Sequence, residues 1–158
     1  WLKVHIAVDV KSGEVLALGV TNERVHDAHM LPRLVEQAEA RGVRISAVIG
    51  DGAYYTNSTY NYLDAKGIRA VIKPRRDAAT KSRGSPYRAR CVREAMAMGM
   101  KQWKSSTGYG RRWIAETAFS RAKLMFGEAV RSTKYDNMVQ EITLQYALLN
   151  MMMGCAQP

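Results

Sequence analysis

The sequence predicts an α/β domain in which a mixed sheet is flanked by helices. Three observations carry that expectation. The chain opens on an alternating apolar pattern, two later runs of apolar residues are separated by a helix-length segment, and the last third is periodic at helical spacing. Leu2, Val4, Ile6 and Val8 share one face of an extended segment while Lys3, His5, Ala7 and Asp9 share the other, as in a half-buried strand. Lys11-Ser12-Gly13 reads as a turn, and Glu14 to Thr21 as the returning strand of a hairpin. A helix follows over Asp27 to Arg41, with Leu31, Leu34, Val35 and Ala38 on its buried face and Asp27 as its cap. Pro32 suits only a first turn, so the start is expected late, and Gly42 closes the element. Arg44 to Gly50 reads as a buried strand, Asn57 to Lys66 as a helix ended by Gly67, and Ile68 to Ile72 as a second buried strand. Strands joined through a helix imply parallel neighbours and a right-handed crossover. Helices are predicted over Tyr87 to Lys104, Arg111 to Phe126 and Asp136 to Met153.

Composition narrows the function classes. Hydrophobic residues make up 47% of 158, enough for one compact domain with a real core and too many for a disordered chain. The longest mostly apolar stretch, Ile142 to Met153, is shorter than the roughly 20 residues a membrane span needs. The opening at Trp1 carries no leader pattern, and it reads as the start of a fragment. Cys91 and Cys155 stand apart without CxxC spacing, so neither a disulfide framework nor a zinc site is expected, and the expected compartment is the reducing cytoplasm. Lys and Arg number 24 against 14 acids, a net +10 that attracts polyanions. Most of the excess lies in Lys73 to Arg93, where Lys73, Arg75, Arg76, Lys81, Arg83, Arg88, Arg90 and Arg93 face Asp77 alone. Pro74, Gly84 and Pro86 make the start of that segment a loop, and 73–108 reads as a basic insertion.

The chemistry-bearing residues are few. There is no Gly-rich phosphate loop, no HExxH and no G-x-S-x-G, and His5, His26 and His29 lack metal-ligand spacing. Most carboxylates fall on polar helix faces, turns or helix ends. Asp51 is different because it directly follows a buried strand, in Gly50-Asp51-Gly52-Ala53-Tyr54, where open α/β sheets gather ligands. Its alternative is a plain glycine turn. Glu116 is also different. On a continuous helix Tyr109, Arg112, Glu116 and Lys123 fall within about 60° of arc beside the apolar stripe Ala115, Phe119, Ala122 and Phe126. An i,i+4 pair between Arg112 and Glu116 is the competing reading. Lys123 lies about 10 Å further along the axis and suits a phosphate held near the carboxylate.

Tyr109-x2-Arg112-x3-Glu116-x6-Lys123 resembles, at each spacing, the Y-R-E-K signature of the DDE-type insertion-sequence transposases of bacteria and archaea. Phe119-Ser120, Phe126-Gly127, Gly50 to Tyr54, Lys73-Pro74-Arg75 and Lys3 to Asp9 read the same way, so the resemblance covers essentially the whole chain. It implies a ribonuclease H-like fold, one catalytic domain over 1–158 truncated at its N-terminus, and two or more Mg²⁺ (or Mn²⁺) ions held by three acids. By position Asp51 matches the second acid and Glu116 the third. The first is expected on a strand upstream of Trp1, with Asp9 the sole, weak candidate inside the chain. The implied reactions are nicking of transposon-end DNA by water and strand transfer by the freed 3′-hydroxyl. Tyr109, Arg112 and Lys123 would hold phosphates, and Lys73, Arg75 and Arg76 would follow the double-stranded DNA backbone. A homodimer is expected in the synaptic complex, no membrane is involved, and the fragment alone is expected to be inactive. The rivals are a structure-specific nuclease of the same fold and a transposase-derived fragment that binds DNA without cutting it. A membrane-surface or RNA-binding role has only the net charge behind it.

Overall fold

The computed structural model describes residues 1–155, with the side chain of Cys155 excepted. The expectation that Cys155 stands alone therefore falls outside the described residues, while Cys91 is a free thiol. The opening alternation forms β1 (Leu2–Val8) and β2 (Val15–Asn22), an antiparallel hairpin in which Val4 faces Val20 and Ile6 faces Leu18. Its turn is closed by Asp9, whose carboxylate accepts from the Ser12 amide at 3.0 Å and the Ser12 hydroxyl at 2.8 Å. Gly13 takes φ +77°, a conformation that suits glycine.

Helix α1 (Asp27–Ala40) starts earlier than Pro32 suggested, and the proline lies inside it. Asp27 is not the cap. His26 holds that position without a side-chain bond, and the Asp27 carboxylate instead meets Lys3 Nζ at 3.0 Å and His5 Nδ1 at 3.1 Å. That tie to β1 fixes the helix start where capping would not. Strand β3 (Ala47–Gly50) is shorter than the predicted Arg44–Gly50. A 3-10 turn (Gly52–Tyr54), α2 (Asn57–Ala65) and β4 (Arg69–Ile72) follow. Thr56 caps α2 by accepting from the Thr59 amide. β3 and β4 pair in parallel, with Gly50 opposite Ile72. The predicted helix Tyr87–Lys104 is two helices, α3 (Pro86–Met98) and α4 (Met100–Thr107), because Gly99 at φ +78° interrupts it. A 3-10 turn (Tyr109–Arg112) then leads into α5 (Trp113–Phe126), and α6 (Tyr135–Cys155) closes the described chain.

The strands form two separate pairs, β1-β2 and β3-β4, where the sequence suggested one mixed sheet. Their edges differ. The second edge of β2 is covered by side chains: Asn150 bonds both the amide and the carbonyl of Val15 at 2.8 Å, Gln37 accepts from Leu18, and the Tyr135 hydroxyl donates to Val20. The second edge of β4 is covered likewise, the Ala70 amide donating to the Tyr87 hydroxyl at 2.9 Å. Among the described residues, no hydrogen bond from outside the pair reaches the backbone of β1 or β3.

Packing joins the pairs. Met30, Leu34 and Ala38 of α1 lie against Ala7 and Ala17 of the hairpin. Leu31 and Val35 of the same helix lie in the cluster of Tyr60, Leu63, Ala70 and Ile72 around β4. The other face of the hairpin, Leu2, Val4, Ile6 and Val8, packs on Ala118 and Ala122 of α5 and on Ile142, Tyr146 and Leu149 of α6. Ile49 and Val71 face Ala95, Trp103 and Tyr109. Each fully buried large side chain, such as Leu63 or Leu149, contributes roughly 1.5–3 kcal/mol through removal from water.

Two predictions follow from these contacts. Asn150→Ala leaves the Val15 amide without its acceptor while the carbonyl keeps Arg41 at 3.0 Å, and urea titration should register a loss of about 1–3 kcal/mol with an unchanged m-value. His5 is 3% exposed between Asp27, Lys3 and Thr21, and burial holds its imidazole below the ordinary value of about 6.5 although Asp27 pulls the other way. The unfolded chain therefore binds the proton more readily. Stability is complete above about pH 6.5 and declines as the pH falls below it. His5→Gln should flatten the stability difference between pH 7.5 and pH 5; an unchanged difference would contradict the assignment.

Candidate active site

The parallel pair sets the site. Gly50 and Ile72 are register partners, so the next residues, Asp51 and Lys73, leave the sheet side by side at its carboxyl end. A Cβ on Gly50 would lie 3.1 Å from the Tyr54 ring, which folds back over the strand end; this close approach explains that glycine. Nothing lies within 4 Å of the corresponding position on Gly52, which is open space. The Asp51 Oδ1 accepts from the Ala53 amide at 2.8 Å and starts the 3-10 turn. Its second carboxylate oxygen makes no hydrogen bond to the described protein residues. The glycine-turn reading thus holds for one oxygen and leaves the other available.

Glu116 lies in the first turn of α5 with its side chain 58% exposed, and it forms the i,i+4 ion pair with Arg112. The signature residues do not all share one α-helix. Tyr109 and Arg112 belong to the 3-10 turn before α5, which corrects the helical-wheel placement. The reason is Gly108 at φ +68°, which ends α4 and turns the chain before Trp113. Lys123 reaches Glu128 at 3.0 Å, an exposed pair of small energetic weight.

Tyr109 is where the strand end and the α5 head meet. Its ring packs against Trp103 with centroids 5.4 Å apart and belongs to the cluster that includes Ile49, two residues before Asp51. Burial raises the Tyr109 hydroxyl above its ordinary value. Arg112 beside it opposes the rise, and the carboxylates of Asp51 and Glu116 both add to it. Tyr54 is pushed up to about 12 by burial, with Asp27 and Asp51 adding to the shift. Sequence reasoning treated Asp27 only as a helix cap; the signal that could have placed it was the Lys3/His5 face of the first strand. Asp9 spends one carboxylate oxygen on Ser12. Burial alone would raise its carboxyl, but the hydrogen bonds from Ser12 outweigh that and hold it below the usual range.

The basic segment divides into two roles. Lys73, Arg75, Arg76, Lys81 and Arg83 are exposed, and among the described residues none of them meets a carboxylate within ion-pair distance. Arg88, grouped with them by sequence, is buried at 7% exposure and is withdrawn from any external polyanion. The 73–108 segment also feeds the core through Ala89, Val92, Ala95 and Trp103.

The donor chemistry of Asp51 and Glu116, carboxylate oxygens, suits a hard divalent cation. Among the described residues no group of three acids, histidines or cysteines converges. No helix of the described residues is long and apolar enough to cross a membrane.

No solved structure matches the chain. A family model described as a transposase DDE domain matches residues 1–151. The match runs from the hairpin through nearly all of α6 and includes both Asp51 and Glu116. The chain belongs to the transposase DDE domain family.

Proposed function

We propose that this chain is the catalytic domain of a DNA transposase whose metal-binding acids include Asp51 and Glu116. The observation that carries the reading is the position of Tyr109, which packs in the cluster of Ile49, two residues before Asp51, and belongs to the turn that leads into α5 and Glu116. That placement supports a site shared by the carboxyl end of β3 and the head of α5. Two Mg²⁺ (or Mn²⁺) ions bound there would supply the activation of the attacking oxygen and the stabilisation of the leaving one in displacement at phosphorus. Asp51 would offer its free oxygen to them, and Glu116 would exchange its exposed Arg112 pair for them. Arg112 and Lys123, both held by exposed carboxylates, are cations that a DNA phosphate can recruit at little cost. Water would then nick the transposon end and the released 3′-hydroxyl would attack the second strand, with two copies of the protein holding two ends.

The fold that goes with this function is ribonuclease H-like, and the two strand pairs are halves of its sheet. The bare backbone edges of β1 and β3 support that reading, because both outer edges carry side-chain partners and these two do not. One further strand between them would complete the ladder and bring the remaining acid to the site. Asp9 is a poor substitute because its carboxylate closes the hairpin turn. The same consideration favours, for residues 1–158 by themselves, DNA binding without cutting.

In the intact transposase, Glu116→Gln or Asp51→Asn should abolish Mg²⁺-dependent end cleavage while end binding, followed by gel shift, stays near the wild-type level. Cleavage retained by either variant would remove that residue from the site. Strand-transfer products joined at one defined end, rather than cuts directed by DNA structure, distinguish the transposase from a structure-specific nuclease. Lys123→Ala should weaken end complexes several-fold and lower the salt dependence of binding by about one unit, as expected for one lost phosphate contact.

A further inference from the structure

The loop 73–85 carries five exposed cations, yet few of its own residues anchor it in the core. Its backbone carbonyls are held from behind by side chains of α2 and α3. Asn57 Nδ2 donates to the Arg83 carbonyl at 2.7 Å and Asn61 Nδ2 to Gly84 at 2.8 Å. Arg93 donates to Thr80 at 2.8 Å. Arg88 makes the largest set, donating to the carbonyls of Ala79 at 3.4 Å and Lys81 at 3.3 Å and to the Tyr55 hydroxyl at 2.7 Å.

Arg88 is an unusual residue to bury. It is 7% exposed, no carboxylate pairs with it among the described residues, and its Nε is buried without a hydrogen-bond partner. A guanidinium taken out of water without a counter-ion is costly unless its surroundings are specific. Here the compensation comes from loop carbonyls, the Tyr55 hydroxyl and the Tyr55 ring, whose centroid lies 5.6 Å from the guanidinium carbon. Arg75, an exposed loop cation, lies over the same ring at 5.8 Å. Tyr55 ends the short turn that Asp51 begins.

We infer that Arg88 is a positioning residue that locks the basic loop to the Asp51 turn through Tyr55, so that the loop cations present themselves to a phosphate backbone in fixed register with the carboxylate. The inference rests on the DNA-binding reading of this loop. It assigns the one cation of the segment that cannot touch DNA the task of aiming those that can. Fork geometry explains the residue type, since one terminal nitrogen serves Tyr55 and Ala79 while the other serves Lys81, and a lysine ammonium cannot span the three acceptors in that plane.

The test compares Arg88→Lys, which keeps the charge and loses the fork, with Tyr55→Phe, which keeps the ring and loses the hydroxyl. Arg75→Ala/Arg76→Ala serves as the charge-removal reference. Each is assayed for trypsin cleavage within the loop, thermal unfolding, and the salt dependence of binding to a short duplex DNA of arbitrary sequence. Arg88→Lys should raise loop cleavage at least about tenfold and lower the salt slope by about two units, with Tyr55→Phe changing both in the same direction by less. A loosened loop with a wild-type salt slope, or a salt slope that falls with no change in loop cleavage, would overturn the inference. If Arg88→Lys does not fold, Tyr55→Phe decides, and wild-type cleavage and slope in that variant overturn the inference. A wild-type slope in Arg75→Ala/Arg76→Ala would instead refute the DNA-contact reading of the loop, whatever Arg88 does.

Discussion

A two-stranded ladder is marginal in water, and the described residues form two of them with no hydrogen bond between them. What makes them parts of one body is α1. One side of that helix, Met30, Leu34 and Ala38, serves the hairpin, while Leu31 and Val35, a step around the axis, serve the parallel pair. The hairpin residues beneath it are small for the same reason. Ala7 and Ala17 let the helix approach, and a Cβ on Gly19 would come within 2.5 Å of the Met30 methyl. The Asp27 contact with Lys3 and His5 fixes where the helix begins on this surface. Every later element inherits its position from that arrangement, including the strand end that carries Asp51.

The electrostatic design is uneven in a useful way. Among the described residues the surface cations of the loop have no acid partners, whereas Arg112 and Lys123 do. Exposed pairs of this kind are worth little and are readily exchanged. Under the proposed function, the helix-head arginine would neutralise a carboxylate when nothing else is bound and turn to a phosphate when it arrives. Tyr109, packed against Trp103, adds a hydroxyl that burial raises above its ordinary value, at the turn before Glu116.

Much of this was legible in the sequence because it is written in local periodicity. The alternation of Leu2 to Val8 gives the hairpin, the spacing of Leu31, Leu34, Val35 and Ala38 gives the buried side of α1, and the apolar run before Asp51 gives a strand parallel to its successor. Asp51 was visible because a strand end next to glycines is a local signal. What escaped notice depended on long-range partners. Pro32 lies inside α1, whose start is tied to β1 by the Asp27–His5 contact, 22 residues apart in sequence, which no window reveals. Gly99 and Gly108 broke helices that side-chain periodicity alone would have continued, and so moved Tyr109 and Arg112 off the α5 axis. Arg88 looked like its neighbours in a basic run, since charge counting does not know which guanidinium points inward.

The side-chain caps on the outer strand edges carry a consequence for how the chain behaves at high concentration. An open row of amides and carbonyls invites pairing with another molecule, the first step toward fibrous aggregation. Asn150, Gln37 and Tyr135 on one flank and Tyr87 on the other close those rows with groups that cannot propagate a ladder. Edge-to-edge pairing of the isolated polypeptide is thereby directed to the bare rims of β1 and β3.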